Sequence, residues 1–206
     1  MKNLAILGAG GHGRVAAEIA EQSGWNVHFF DGAYPKVEYC GIWTVVGNEE
    51  CLIANYRKFS TVFIAIGNNT IREKKQNILK SYGFDIATLI SPNATISKHA
   101  NIDEGVLVVG NACINIGAHI HNGVIINTGA TVDHDCIIDE FSHISPGANL
   151  AGEVRIGART WVGVGSSVIQ GIEVGHDAIL GAGTVVINDL PAQNTAVGCP
   201  ARVITK

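Results

Sequence analysis

From Ile90 to Val186 every sixth residue is Ile, Val or Leu without a break, a run that includes Ile114, Ile120, Ile126, Val132, Ile138, Ile144 and Leu150. No α-helix has a period of six, and an ordinary sheet shows alternation broken by irregular turns. A short fixed period is the mark of a solenoid, whose repeats bury their apolar residues only by stacking on neighbours. Four residues after most of these positions stands a small one, among them Ala112, Ala118, Ala130, Cys136, Ser142 and Ala148. One large and one small inward residue per side suit a narrow triangular coil. Three hexapeptides, hence 18 residues, make a turn, and successive turns stack at about the 4.8 Å inter-strand spacing. This pattern predicts a parallel β-helix over 86–206, ending near Asp189-Leu190-Pro191 and leaving a short tail.

Residues 1–85 follow another pattern. Leu4-Ala5-Ile6-Leu7 reads as a strand, Gly8 to Gly13 as a turn, and Arg14 to Ser23 as a helix closed by Gly24. Val27 to Phe30 and Thr61 to Ile66 read as further strands, and Ile71 to Tyr82 as a helix closed by Gly83. Strands alternating with helices predict a small, mainly parallel, Rossmann-like α/β sheet.

Gly8, Gly10 and Gly13 fit GxGxxG between a strand and a helix, 18 residues before Asp31. Glycines let backbone approach a phosphate or sugar closely, and helix-start N–H groups favour negative charge. An acidic residue after the second strand can accept from a ribose or a base. A dinucleotide enzyme is one reading, but 85 residues make barely half of a doubly wound dinucleotide domain. A nucleotide-sugar fits the space better, and a tight structural turn is the bland alternative.

The coil carries candidate chemistry at its corners, two to three residues past each aliphatic position. His134 and Asp135 fall at such a corner, and Ile116, Gly152 and Gln170 stack on it at steps of 18. Gly152 has no side chain, so room should open beside the imidazole. A near-neutral imidazole with room for a ligand is what a general base requires, and a flanking carboxylate, Asp135 rather than Asp133, can fix its tautomer. A solvated turn histidine is the alternative. His143 precedes inward Ile144, so it should point outward, half a coil from His134, to a ligand along the outside of the prism or to solvent. His119 and His121 also read as outward. A zinc site needs three convergent imidazoles and an open position, and no HxxxxH pair supplies them, so no metal is expected.

Composition narrows the choice. Only 16% of residues are charged and mean hydropathy is +0.23, which predicts extensive burial, subunit contacts included. A net charge of −4 carries no basic footprint for nucleic acid. The five cysteines lack any CxxC pair, which favours free thiols in a reducing cytoplasm over a disulfide frame. Residues 105–132 contain no Asp, Glu, Lys or Arg, but their Gly, Asn and His at hexapeptide spacing argue for a face covered by other copies, not a membrane span.

The combination of Gly8-Ala9-Gly10-Gly11-His12-Gly13, Phe30-Asp31, Ile64-Ala65-Ile66-Gly67-Asn68-Asn69, Asp133-His134-Asp135-Cys136, Phe141-Ser142-His143-Ile144-Ser145 and Val197-Gly198-Cys199-Pro200-Ala201 resembles the sugar acyltransferases of the sialic acid O-acetyltransferase type. Within that group it looks most like bacterial enzymes that N-acetylate a UDP-linked 4-amino-4,6-dideoxy sugar, as in bacillosamine synthesis. The resemblance implies that the coil is a left-handed parallel β-helix and that the protein is a homotrimer with acetyl-CoA between adjacent coils. It assigns the general base to His134 and its modulating carboxylate to Asp135. His143, Val164 and Ala182 match positions that contact CoA, and the Gly152 backbone N–H would steady the oxyanion beside it. Gly10, Gly11, His12, Asp31, Gly32 and Gly67 match the nucleotide-sugar pocket, and Asn127 a polar residue near the reacting sugar. The rival readings are O-acetylation of a sialic acid or other hydroxyl, a nucleotide-sugar-binding scaffold without chemistry, and a zinc hydratase.

Overall fold

A computed structural model describes residues 2–204. The chain divides into two compact units, Met1–Pro92 and Asn93–Lys206.

The first unit runs β1 (Asn3–Leu7), α1 (Gly11–Gln22), β2 (Asn26–Phe30), β3 (Tyr39–Cys40), β4 (Trp43–Gly47), α2 (Glu49–Ala54), β5 (Thr61–Ile64), α3 (Asn69–Ser81) and β6 (Asp85–Ile86). Its sheet has the order β3-β4-β2-β1-β5-β6, parallel except for the β3–β4 hairpin. Leu4, Ala5 and Ile6 of β1 are fully buried, as an unbroken apolar run at the centre of a parallel sheet must be. After β4 the chain returns to the far side of β1 as β5. In open α/β sheets, ligands bind at such a reversal, outside the carboxyl ends of the strands. Gly8 to Gly13, Asp31 and Gly67 all lie there.

Helix α1 starts at Gly11, earlier than the Arg14 expected from periodicity. Gly10 is its extended cap residue and the Arg14 N–H donates to the Gly10 carbonyl, so half of the glycine turn is helix. Gly13 answers a packing demand, because a Cβ there would lie 2.2 Å from the Gly8 carbonyl oxygen. Helix α3 starts at Asn69, where the Asn68 side chain accepts from the Ile71 N–H as an N-cap. The β3–β4 hairpin and α2 were not anticipated. They are too short for periodicity to register, and the signal for α2 is its cap, Asn48, which accepts from the Cys51 N–H.

The second unit is a parallel β-helix. Its faces are named here for an inward residue: the Val132 face (Thr95–Ile96 up to Val185–Val186), the Ile138 face (Asn101–Ile102 up to Glu173–Val174) and the Ile144 face (Leu107–Val108 up to Ile179–Leu180). Ile114 pairs with Val132, Val132 with Leu150, Leu150 with Val168 and Val168 with Val186, so the register runs without insertion. Every sixth residue from Gly105 to Gly183 has positive φ, which turns the chain at each corner. The inward aliphatic and small residues form one continuous core. Three of its small polar members are satisfied from within: Ser142, Thr160 and Ser166 hydroxyls donate to the carbonyls of Gly157, Gly175 and Gly181 at 2.8, 2.7 and 2.8 Å.

The coil does not stop at Asp189-Leu190-Pro191, as the end of the periodicity suggested. Thr195–Val197 continues the Ile144 face beside Ile179–Leu180, and Arg202–Ile204 returns antiparallel to it. The last coil would otherwise leave a row of unpaired backbone groups, and the tail covers them. Among the described residues, no helix is long and apolar enough to cross a membrane.

Ile120 is fully buried on the second strand of the Ile138 face. Ile120→Ala is expected to destabilise the protein by about 2–5 kcal/mol, measured by chemical denaturation against wild type.

Candidate active site

Asp135 has φ +57°, a left-handed corner conformation that Asp tolerates better than most residues. That turn brings neighbouring side chains together which a strand would send to opposite faces. His134 Nδ1 lies 2.9 Å from Asp135 Oδ2. With Nδ1–H donating to the carboxylate, the lone pair is on Nε2, the atom a general base needs exposed. Half of the imidazole surface remains exposed.

Two glycines seat this pair. A Cβ on Gly152, one coil further on, would lie 2.4 Å from His134 Nε2 and 2.5 Å from Cε1, so the ring rests over the Gly152 backbone as the register predicted. A Cβ on Gly117, one coil back, would lie 2.2 Å from Asp135 Oδ1. The Gly152 N–H meets no acceptor among the described residues.

The electrostatics match the role. The hydrogen bond to Asp135 raises the His134 pKa above its ordinary 6.5, and the charges of Asp133, Asp135 and Glu153 add to this. Asp133 is not the partner. Its Oδ1 accepts from Asn115 Nδ2 at 2.7 Å and from the His134 N–H at 2.8 Å, which keeps its carboxyl below the usual carboxylate range. Asn115, absent from the sequence reading, anchors the corner from one coil back. Beside Asp133 a cavity of about 400 Å³ runs over the Val132 face, lined by Asn115, Thr131, Asn149 and Ser167.

His143 departs from the sequence expectation. It projects from the Ile144 face, yet it is only 6% exposed. Its Nε2 meets Asn127 Nδ2 at 3.0 Å, and its ring packs on Trp161 with centroids 4.3 Å apart. The stacked neighbours on its own sheet cover it, which a reading of inward and outward positions does not foresee. Val164 and Ala182 stack at the corner that follows this face, where the Gly183 N–H donates to the Val164 carbonyl. Asn127 and His143 therefore meet each other, but His134 belongs to the opposite edge of the Val132 face.

A second His–Asp pair, His176 Nδ1 to Asp177 Oδ2 at 2.8 Å, borders a groove of about 790 Å³ on the Ile138 face. There Arg159 donates twice to Asp177 at 2.8 Å and holds its carboxyl at about 2. That carboxylate serves the guanidinium first, and no residue expected at the site lies in this groove.

On the first unit the glycines fall into two kinds. Gly13 is forced by packing, whereas a Cβ on Gly10, Gly32 or Gly67 would meet nothing within 4 Å. Nothing in the fold requires those three to be small, so the open ground before them is available to a ligand. Asp31 acts first as a clamp: one carboxylate oxygen accepts from the Ala9 N–H and the other from the Ala33 N–H, both at 2.8 Å. Arg72, which sequence reasoning missed among the charges of α3, is 1% exposed. Its guanidinium donates to the Ile66 and Gly67 carbonyls at 3.0 and 3.1 Å and to Asn69 Oδ1 at 2.9 Å, fixing the loop after β5. Burial, and then Arg72, lower the His12 pKa to about 4, so this imidazole is neutral at physiological pH.

Residues 3–79 match the PglD N-terminal domain family. The chain aligns end to end with GDP-perosamine N-acetyltransferase from Caulobacter crescentus, a histidine-to-alanine variant in complex with CoA and GDP-perosamine: 36% identity, 100% of this chain and 98% of that one, TM-score 0.95. The acetyltransferase domain of PglB from Neisseria gonorrhoeae, in complex with acetyl coenzyme A, is 38% identical over 98% of this chain and 99% of that one, TM-score 0.94. The chain belongs to the family of PglD-like nucleotide-sugar N-acetyltransferases. The UDP-N-acetylbacillosamine N-acetyltransferase of Bacillus subtilis is 38% identical over 106 residues, 50% of this chain, and the match spans about half the length of that relative, 49%. This family unites a Rossmann-like N-terminal domain with a parallel β-helix, the architecture described above.

Two outcomes are expected from this geometry. Gly152→Ala should displace the imidazole and lower kcat by about 10²-fold with the melting temperature nearly unchanged, read by steady-state kinetics beside a thermal melt. A base must be neutral to accept a proton, so kcat/KM should fall as pH drops through a His134 pKa above 6.5. Asp135→Asn removes the main cause of that elevation and should move the acid limb of the pH profile to lower pH.

Proposed function

We propose that this protein transfers the acetyl group of acetyl-CoA to the C4 amine of a nucleotide-linked 4-amino-4,6-dideoxy sugar. The observation that carries this reading is the His134–Asp135 pair seated over Gly152, in a chain that aligns end to end with an enzyme captured with CoA and GDP-perosamine. The N-terminal unit holds the nucleotide at the reversal of its sheet, with Gly10, Gly11, His12, Gly32 and Gly67 facing it and Asp31 and Arg72 fixing the loops that do so. The coil performs the transfer.

The amine nitrogen attacks the thioester carbonyl carbon and forms the N–C bond, while its proton passes to His134 Nε2. The C–S bond then breaks and the CoA thiolate takes up a proton. Asp135 keeps the ring in the tautomer that leaves Nε2 basic, and the Gly152 N–H stabilises the oxyanion. A neutral amine is already nucleophilic, so holding it in line contributes much of the acceleration. Asn127, next to the acceptor, and His143, Val164 and Ala182, along CoA, act from the other edge of the Val132 face. A homotrimer, with one copy's His134 edge facing its neighbour's CoA-binding edge, reconciles this separation. Trp161, Val164 and Ile179, exposed apolar residues of the upper coil, support such self-association. The free thiols of Cys40, Cys51, Cys113, Cys136 and Cys199 suit a reducing cytoplasm.

The deciding measurement is CoA release from acetyl-CoA with UDP-, GDP- and dTDP-linked 4-amino sugars and with sialic acid. Release with an amino sugar alone is expected, and the nucleotide that supports it names the substrate. Release with sialic acid alone would make the enzyme an O-acetyltransferase. Binding of the nucleotide-sugars without release would favour a scaffold. With the active substrate, His134→Ala should lower turnover by about 10²–10⁴-fold and leave the affinity for acetyl-CoA nearly intact.

A further inference from the structure

We propose that Asp103, His119 and His121 form a binding site for one divalent transition-metal ion at the edge between the Ile138 and Ile144 faces. The coil brings these residues together by register. Asp103 and His121 are 18 residues apart and occupy the same corner of successive coils, their N–H groups donating to the carbonyls of Ile120 and Ile138. His119 stands two residues before His121, on the same side of the chain, and its strand pairs with Asn101–Ile102 and Ile137–Ile138.

The donor atoms already converge. His119 Nε2 lies 3.2 Å from Asp103 Oδ1, and His121 Nδ1 lies 3.1 Å from Asp103 Oδ2. One ligand atom from each residue falls within 4.8 Å of the others. Bonds of about 2.0–2.1 Å in a tetrahedral site put neighbouring ligands about 3.3 Å apart, close to the two separations observed. The two rings are neighbours, with centroids 3.9 Å apart and planes tilted by 31°, so both imidazoles can turn a nitrogen toward one point.

A second observation points the same way. The other nitrogen of His121, Nε2, faces Asp139 Oδ1 at 4.0 Å. Metal-bound histidines typically direct their remaining N–H to a carboxylate that sets tautomer and ring orientation, and Asp139, one coil further on at the same corner, stands on that side of the ring, just beyond hydrogen-bond distance. Two imidazoles and one carboxylate select zinc, nickel, cobalt or copper over magnesium and calcium. The site is open on its outer side, where water would complete the shell. Asp103 and the two histidines come from successive coils, so the ion would staple the stack near its start. This role is separate from acyl transfer at His134.

The same three side chains could instead form a hydrogen-bonded network without metal, and the experiment distinguishes the two. Full-length protein stripped with EDTA is dialysed against ZnCl2, and bound zinc is measured by mass spectrometry. One saturable zinc per chain is expected, with Asp103→Asn and His121→Gln each weakening it on the order of tenfold or more. An ion bound to the native state alone raises stability, so zinc should raise the melting temperature of wild type but not of the variants. CoCl2 added to wild type supplies a readout independent of variant folding, with the bands of a nitrogen and oxygen site expected. Zinc that does not saturate, zinc binding that both variants retain unchanged, or cobalt bands showing thiolate ligation would each overturn the proposal.

Discussion

The backbone ladder between successive coils pairs Val132 with Ile114 on one side and Leu150 on the other, and this step of 18 residues governs everything on the surface of the prism. A side chain at one corner meets whatever stands 18 positions earlier and later. The His134 imidazole lies over Gly152, the Asp135 carboxylate over Gly117, and Asp103 meets His121. A one-residue insertion between the two members of any of these pairs would separate them. The rigidity that makes the helix tolerant of a sparse core therefore also orients the dyad. Packed coils deform little, so an imidazole seated on them keeps its place.

The N-terminal unit works on the opposite principle. The loops at the reversal of its sheet must be tied down by side chains because no ladder holds them. Asp31 bridges the glycine turn and the end of β2 through two backbone N–H groups, and the buried Arg72 gathers the carbonyls after β5. Burying a guanidinium is costly unless its donors are matched, and here carbonyls match them. Both charged groups thus act on the backbone before any ligand arrives. The same fold places Gly10, Gly32 and Gly67 before open space, where their lack of side chain costs no packing.

The division of labour suits a two-substrate transfer. One unit holds open backbone beside a neutral, buried His12. The other offers an imidazole whose basicity is raised by neighbouring carboxylates. The His176–Asp177 pair shows that a His–Asp contact alone does not make such a site. There Arg159 claims the carboxylate, whereas at His134 three acidic groups act on the ring with no guanidinium to offset them.

The six-residue period determined the coil by itself, because no other fold buries an aliphatic residue at that interval. It also determined that His134, Gly152 and Asp135 share a corner, since register in an uninterrupted solenoid is simple counting. The strand–glycine–helix start likewise marked the first unit. Other features were decided only by the tertiary structure, for identifiable reasons. The burial of His143 depends on Asn127 and Trp161, stacked neighbours on its sheet, and Arg72 looked like any surface charge of an amphipathic helix. The tail became strand because the last coil left an edge to cover. The meeting of Asp103 with His119 and His121 joins residues 16 and 18 positions apart. Counting imidazoles does not reveal this meeting, because the third side chain is a carboxylate from the preceding coil.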